Sequence, residues 1–397
     1  MKIEKIETHF FHPRSGKNLL FCRVVCDDGT YGWGESYVGV KKEMIVEGYI
    51  KAMAPYVLGR SPFNIRHTGQ VMFDDFAIRR TSVDFLCAWS AIEIALWDIV
   101  GKKAGLPLYN LFGGASREKV RIYANGWWYG ADTIEKTVAQ ALKVKEAGYT
   151  ALKWDPFPGP WRTFITRAEE DYAVDNVRAM REALGPEMEL LIDAHRRVAP
   201  MHTIRVARRI AEYDITFYEE PCLSDNLDLV AEARRNIPIP IVTGETLYTK
   251  EDFARVFEKR AADIINPDTC AVGGLQQMFD IAAMAQPHAV AVSPHNYNST
   301  IVGLAATVHF SAVIPNFVIA ECFVNLKEAC DEIAINPLVF EQGGWIALPT
   351  GPGLGVDIDM DALARNGFRD FPHKDMRQYY EEFPRKNYVW GQANVTR

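Results

Sequence analysis

No run of apolar residues in this 397-residue sequence approaches the roughly 20 needed to cross a bilayer as a helix. Met1–Glu7 alternates charged and apolar residues where a secretory leader would be continuously apolar. The expectation is a cytoplasmic protein with no membrane partner. Positive charge is also scarce: 44 Lys+Arg against 51 Asp+Glu leave a formal net charge of -7, which repels phosphate backbones and argues against nucleic acid. The seven cysteines, odd in number and spaced as Cys22 and Cys26 are, fit no zinc signature and read as buried free thiols rather than disulfides. Neither a P-loop nor a GxGxxG after a strand is present, so phosphate-dependent chemistry has no support. Repeats, low-complexity tracts and long linkers are missing as well.

What remains is a globular composition, 48% hydrophobic and 24% charged, long enough for two or more structural units. Residues 1–119 open with strand-like runs around Ile3–Ile6, Leu19–Val25 and Tyr31–Glu35, broken by a Cys26-Asp27-Asp28-Gly29 turn. They continue with helical periodicity, clearest over Asp84–Lys103, where Ala88, Ile92, Ala95, Leu96 and Ile99 share one face. Residues 120–343 alternate short β-rich runs with helical stretches: Val120–Ala124, Ala151–Lys153, Glu189–Asp193, Thr216–Glu219, Ile239–Val242, Ile264–Asn266, Ala289–Ser293 and Val318–Glu321. Eight βα units suffice to close a barrel of the triosephosphate-isomerase type. Residues 344–397 are too irregular to stand alone and are expected to pack back on the first unit.

In such a barrel the chemistry sits at the C-terminal strand ends. Three consecutive runs close on acids, Asp193, Glu219 and Glu245, spaced 26 residues apart in each case, so each gap is one βα repeat. Three carboxylates converging in a dry site need a cation, and all-oxygen ligands suit Mg²⁺, with Mn²⁺ next. The following runs end in Asn266-Pro267-Asp268 and Ser293-Pro294-His295, pairing Asp268 with His295 as a candidate general base. His195, two residues beyond Asp193, points the same way and makes a candidate acid on the other side. Lys153 closes the second run and would bring positive charge toward a substrate carboxylate or enolate. Asp155 follows two residues on, and Glu321 ends the eighth run.

These residues resemble those of the enolase superfamily, specifically its mandelate-racemase-like acid-sugar dehydratases of the gluconate and galactonate type. The likeness spans almost the whole chain and is carried by Gly105-Leu106-Pro107-Leu108-Tyr109, Tyr123-Ala124-Asn125-Gly126-Trp127, Leu152-Lys153-Trp154-Asp155-Pro156-Phe157, Tyr218-Glu219-Glu220-Pro221 and Gly351-Pro352-Gly353-Leu354-Gly355-Val356. It implies an α/β fold, a modified (β/α)8 TIM-type barrel under an N-terminal α+β capping domain completed by the C-terminal segment. It also implies Mg²⁺ on Asp193, Glu219 and Glu245, removal of a C2 proton by His295 with Asp268, and protonation of the departing 3-hydroxyl by His195. Glu321 matches an acid that supports the enolate oxygen. The product would be a 2-keto-3-deoxy sugar acid, and a homo-oligomer from dimer to octamer is the implied assembly.

Racemases and cycloisomerases of this superfamily typically carry Lys-x-Lys at the second strand, whereas this chain has Lys153-Trp154-Asp155. One base and one acid favour elimination over inversion. An epimerase or cycloisomerase using the same enolate, and a non-catalytic sugar-acid binder on an inherited barrel, remain as alternatives. For the distal part of the substrate the candidates are Arg14 and Lys17 in the His12–Lys17 loop, Tyr37, Trp127 and Asp155, with Arg79 and Arg80 as further contributors.

Overall fold

The computed structural model describes residues 1–76, 83–159 and 162–371; Arg79 and Arg80 lie outside these. Strands β1 (Ile3–Phe11), β2 (Leu19–Cys26) and β3 (Tyr31–Ser36) form an antiparallel meander. The helix Val83–Ala104 lies directly on it. A Cβ at Gly34 would stand 1.8 Å from the Ala91 carbonyl oxygen, and one at Gly32 would stand 2.1 Å from that of Ala95. Only glycine lets the two backbones approach so closely. The helix is apolar on nearly all sides because it is covered on nearly all sides, with Ala88, Ile92, Ala95, Leu96 and Ile99 in the core it shares with the sheet.

Strands β4 (Lys119–Asn125), β5 (Ala151–Trp154), β6 (Glu189–Asp193), β7 (Ile215–Glu219), β8 (Ile241–Thr243), β9 (Ile264–Ile265) and β10 (Ala291–Val292) are parallel neighbours in chain order. Strand β11 (Ala320–Phe323) pairs with β4 and shuts the ring. Between β10 and β11 the join is made by isolated bonds: Val292 N–H to the Asn316 carbonyl at 2.8 Å, Val318 N–H to the Val292 carbonyl at 3.0 Å and Glu321 N–H to that of Pro294 at 3.1 Å. The last strand therefore starts two residues later than its apolar run suggests, and Glu321 sits inside it rather than at its end. Tyr123, Ala151, Leu191, Phe217, Val242 and Ile319 fill the ring as one buried cluster, the packed interior of a closed barrel. The next inward-facing layer toward the strand ends contains Lys153, Asp193, Glu219 and Glu321, by the two-residue period of a strand.

Two carboxylates from the first unit grip the barrel, and a third ties that unit to the C-terminal segment. Glu35 accepts from the N–H groups of Ser299 and Gly303, both at 2.7 Å, at the start of the helix Val302–Val313. Glu93 does the same for Leu275 (2.8 Å) and Gln276 (2.9 Å), opening the helix Leu275–Ala285. Asp98 takes the N–H groups of Trp33 (3.0 Å) and Leu354 (2.8 Å). Orphan donors at helix starts are thus satisfied across the interface, where a negative charge also suits the helix dipole. Beyond the barrel, Trp345–Ala347 adds antiparallel to β4, and the chain runs back to the first sheet, where Asn18 holds the backbone of Arg369.

Candidate active site

Asp193 ends β6, Glu219 ends β7, and Glu245 follows β8 after Gly244. Their ligand-type oxygens all lie within 4.8 Å of one another. Asp193 and Glu219 are buried and Glu245 nearly so. Lys153, at the end of β5, reaches into this group with its ammonium 2.6 Å from Glu219 Oε1, 2.9 Å from Glu321 Oε1 and 3.4 Å from Asp193 Oδ2. Burial alone would pull the Lys153 pKa down, but Glu219 and Glu321 outweigh it and hold the ammonium charged.

One lysine does not balance so many acids. Burial and the neighbouring Asp193, Glu321 and Glu245 carboxylates push Glu219 well above its usual pKa in spite of Lys153, and its Oε2 is buried with no donor. An orphaned oxygen among three converging carboxylates fits a hard divalent cation such as Mg²⁺ or Mn²⁺.

Two imidazoles flank the triad, and they are held alike. His295 gives Nδ1–H to Asp268 Oδ2 at 2.7 Å and stands with Nε2 3.5 Å from Glu245 Oε2 and 3.5 Å from Glu321 Oε2. Asp268 is fixed in turn by Cys270 N–H (2.7 Å) and by the Asn298 amide. Burial lowers the His295 pKa, but Glu321, Asp268 and Glu245 together raise it to about 10. His195 gives Nδ1–H to Asp155 Oδ2 at 2.8 Å and keeps Nε2 3.5 Å from Asp193 Oδ2. Its pKa is also raised, Asp193 and Asp155 overcoming burial. The two histidines follow β6 and β10, four strands apart in a ring of eight, so they face each other across its mouth.

Several expected residues sit otherwise than the sequence suggests. Asp155, expected to contact substrate, is buried and turns its oxygens to His195, to Arg197 (2.6 Å) and to the N–H of Phe157 (2.8 Å). It is the orienting partner of His195. Glu321 accepts from Lys153, from Asn125 (2.6 Å) and from the N–H of Asn296 (2.8 Å). Although buried, it is held below the ordinary carboxylate range by Lys153 and His295. Arg14 is half exposed and paired with Glu332. Lys17 is buried, with its ammonium on the Tyr297 carbonyl and 3.5 Å from that ring's centroid; burial pulls its pKa down to about 8. Tyr37 reaches the site, its ring 6.2 Å from His295 and 6.0 Å from Tyr297. On the opposite flank it is Trp128, 6.4 Å from His195, that forms the aromatic wall, while Trp127 packs on Trp154. Sequence reasoning missed Arg196, whose guanidinium grips Glu245 Oε1.

Fold and site together place the chain among capped-barrel enzymes. Its family follows from the sequence itself: residues 7–113 match the mandelate racemase / muconate lactonizing enzyme N-terminal domain and residues 136–362 the enolase C-terminal domain-like family, and the chain belongs to this family of the enolase superfamily. It is 32% identical over 348 residues to the D-gluconate dehydratase of Thermoproteus tenax, spanning 87% of this chain and 69% of that one. It is 32% identical over 378 residues to the D-galactonate dehydratase of Ralstonia pickettii (strain 12J), spanning 94% and 96%. The crystal structure of the 3,6-anhydro-D-galactonate cycloisomerase from Zobellia galactanivorans is similar with a TM-score of 0.83 at 32% identity, covering 93% of this chain and 100% of that one.

Proposed function

We propose that this protein is a Mg²⁺-dependent sugar-acid dehydratase that takes the C2 proton of an aldonate and expels the 3-hydroxyl as water. The observation that carries the reading is the pair of carboxylate-oriented histidines on opposite sides of the triad. A cation on Asp193, Glu219 and Glu245 would supply the charge that favours an enediolate at the substrate carboxylate. With Nδ1–H committed to Asp268, His295 has Nε2 as the atom that accepts the C2 proton, once a cation on the triad offsets the carboxylate charge that otherwise keeps the ring protonated. Lys153 adds a fixed positive charge on the same side of the triad. His195, oriented by Asp155, delivers a proton from Nε2 to the 3-hydroxyl as the C3–O bond breaks. The enol so formed takes a proton at C3 and becomes the 2-keto-3-deoxy acid, so substrate and products differ by one water.

Gluconate and galactonate are the first substrates to test, being those in the names of the two dehydratase relatives. A second reading, cycloisomerisation through the same C2 proton removal, is favoured by the likeness to the anhydro-galactonate cycloisomerase. Against it stands the missing second lysine of β5, replaced by an aspartate that is spent on His195. The test is to incubate the purified protein with a panel of aldonic and aldaric acids, with Mg²⁺ or with chelator, and to follow mass and keto-acid formation. Metal-dependent loss of 18 Da, the mass of water, supports the dehydratase; an isomer of unchanged mass moves the assignment to cycloisomerase or epimerase.

A further inference from the structure

The turn Ala194–Arg196 touches every strand that supplies the triad. Ala194 N–H donates to the Glu219 carbonyl (3.0 Å), His195 N–H to Asp193 Oδ1 (2.8 Å) and Arg196 N–H to the Glu220 carbonyl (2.8 Å). The Arg196 guanidinium completes the set on Glu245. Each carboxylate of the triad thus has one close donor: His195 N–H for Asp193, Lys153 for Glu219 and Arg196 for Glu245. Glu245 needs its donor most, because it follows Gly244, at φ +140°, on a loop rather than ending a strand.

Arg196 has φ +51°, directly after His195 at φ +49°. Residues with a Cβ adopt this left-handed conformation at a cost, and glycine adopts it freely. The backbone here would accept glycine better than arginine, so the reason for arginine lies in its side chain.

We propose that Arg196 is a positioning residue of the metal centre, holding one oxygen of Glu245 so that the carboxylate is presented to the divalent cation. The inference rests on the triad's being a metal site, and it concerns a group that orients a ligand without touching the metal.

The test uses Mn²⁺ alone as probe, titrated into the full chain and followed by loss of the aqueous Mn²⁺ electron-paramagnetic signal. Wild type, Arg196→Gly and Arg196→Lys are compared, together with their unfolding midpoints without metal. Arg196→Gly is expected to bind Mn²⁺ about 10- to 100-fold more weakly, with the unfolding midpoint measured without metal showing that the variant is folded at the temperature of the titration. Arg196→Lys keeps the charge but not the planar fork and should fall between the two. Binding by Arg196→Gly as tight as wild type, or tighter, overturns the proposal, because the guanidinium would then be idle or competing for Glu245. Wild type that binds no Mn²⁺ overturns the metal reading itself, a distinguishable result.

Discussion

Each histidine at the mouth owes its usefulness to an aspartate on its far nitrogen. A carboxylate on Nδ1 fixes the tautomer and aims Nε2, which is why Asp268 and Asp155 matter as much as the imidazoles they hold. His195→Asn is expected to slow water loss by about 10²- to 10⁴-fold while slowing C2 proton exchange less, since the base on the other face is untouched. Equal loss of both rates, measured on one substrate by proton NMR, contradicts the acid role. The triad and the Asp268–His295 pair were legible in the sequence because strand-end residues inherit their direction from the period of the strand and their proximity from the length of the repeat. Asp155 misled for the opposite reason: its partner His195 belongs to the neighbouring strand's loop, and nothing in the spacing says which of two inward groups it will meet. Arg196 was illegible, since a left-handed turn built without glycine leaves no trace in composition.

Among the elements, the helix Val302–Val313 shows how the two units are joined. Its His309 gives Nε2–H to the Leu354 carbonyl (3.1 Å) and takes the Tyr109 N–H on Nδ1 (3.3 Å), so the neutral ring satisfies both neighbours. Burial pushes the His309 pKa down to about 4, only partly offset by Leu354, from an ordinary 6.5. Between those values the unfolded chain binds a proton that the folded chain refuses. Stability that is complete above pH 6.5 is therefore lost as the pH falls toward 4, with His309 accounting for about 2 kcal/mol between pH 7 and pH 5. Urea unfolding of His309→Gln should show a correspondingly shallower decline over that range; parallel declines in the two proteins contradict the assignment. The order of strands and helices could be read from periodicity, and the long helix Val83–Ala104 from its apolar face. The late start of β11 could not, because Val318 is as apolar as a strand residue while bonding only at the join. The burial of Lys17 was equally hidden: a basic loop looks solvated until a partner such as Tyr297 is seen beneath it.

For the whole molecule, closing a ring of parallel strands brings a set of acids to one spot where Lys153 and Arg196 still leave Glu219 pushed well above its usual pKa. Folding and cation binding are then linked: Mg²⁺ should stabilise the fold in proportion to the logarithm of its concentration, by about 2.7 kcal/mol at a hundredfold excess over Kd, and raise the unfolding midpoint accordingly. Chelator should reverse the shift, and a midpoint indifferent to Mg²⁺ in calorimetry contradicts the linkage. The net charge of -7 sharpens the point, since an anionic sugar acid approaches a negative protein and must find its positive charge locally. No helix among the described residues is long and apolar enough to cross a membrane. The central claim is that His295 removes the proton next to the substrate carboxylate. The most direct measurement is deuterium incorporation at C2 of gluconate and galactonate in D₂O with Mg²⁺, for wild type and His295→Asn. The account predicts water loss, with any exchange at C2, in wild type for at least one substrate, and neither process in the variant. Turnover by His295→Asn at a rate near wild type would contradict it.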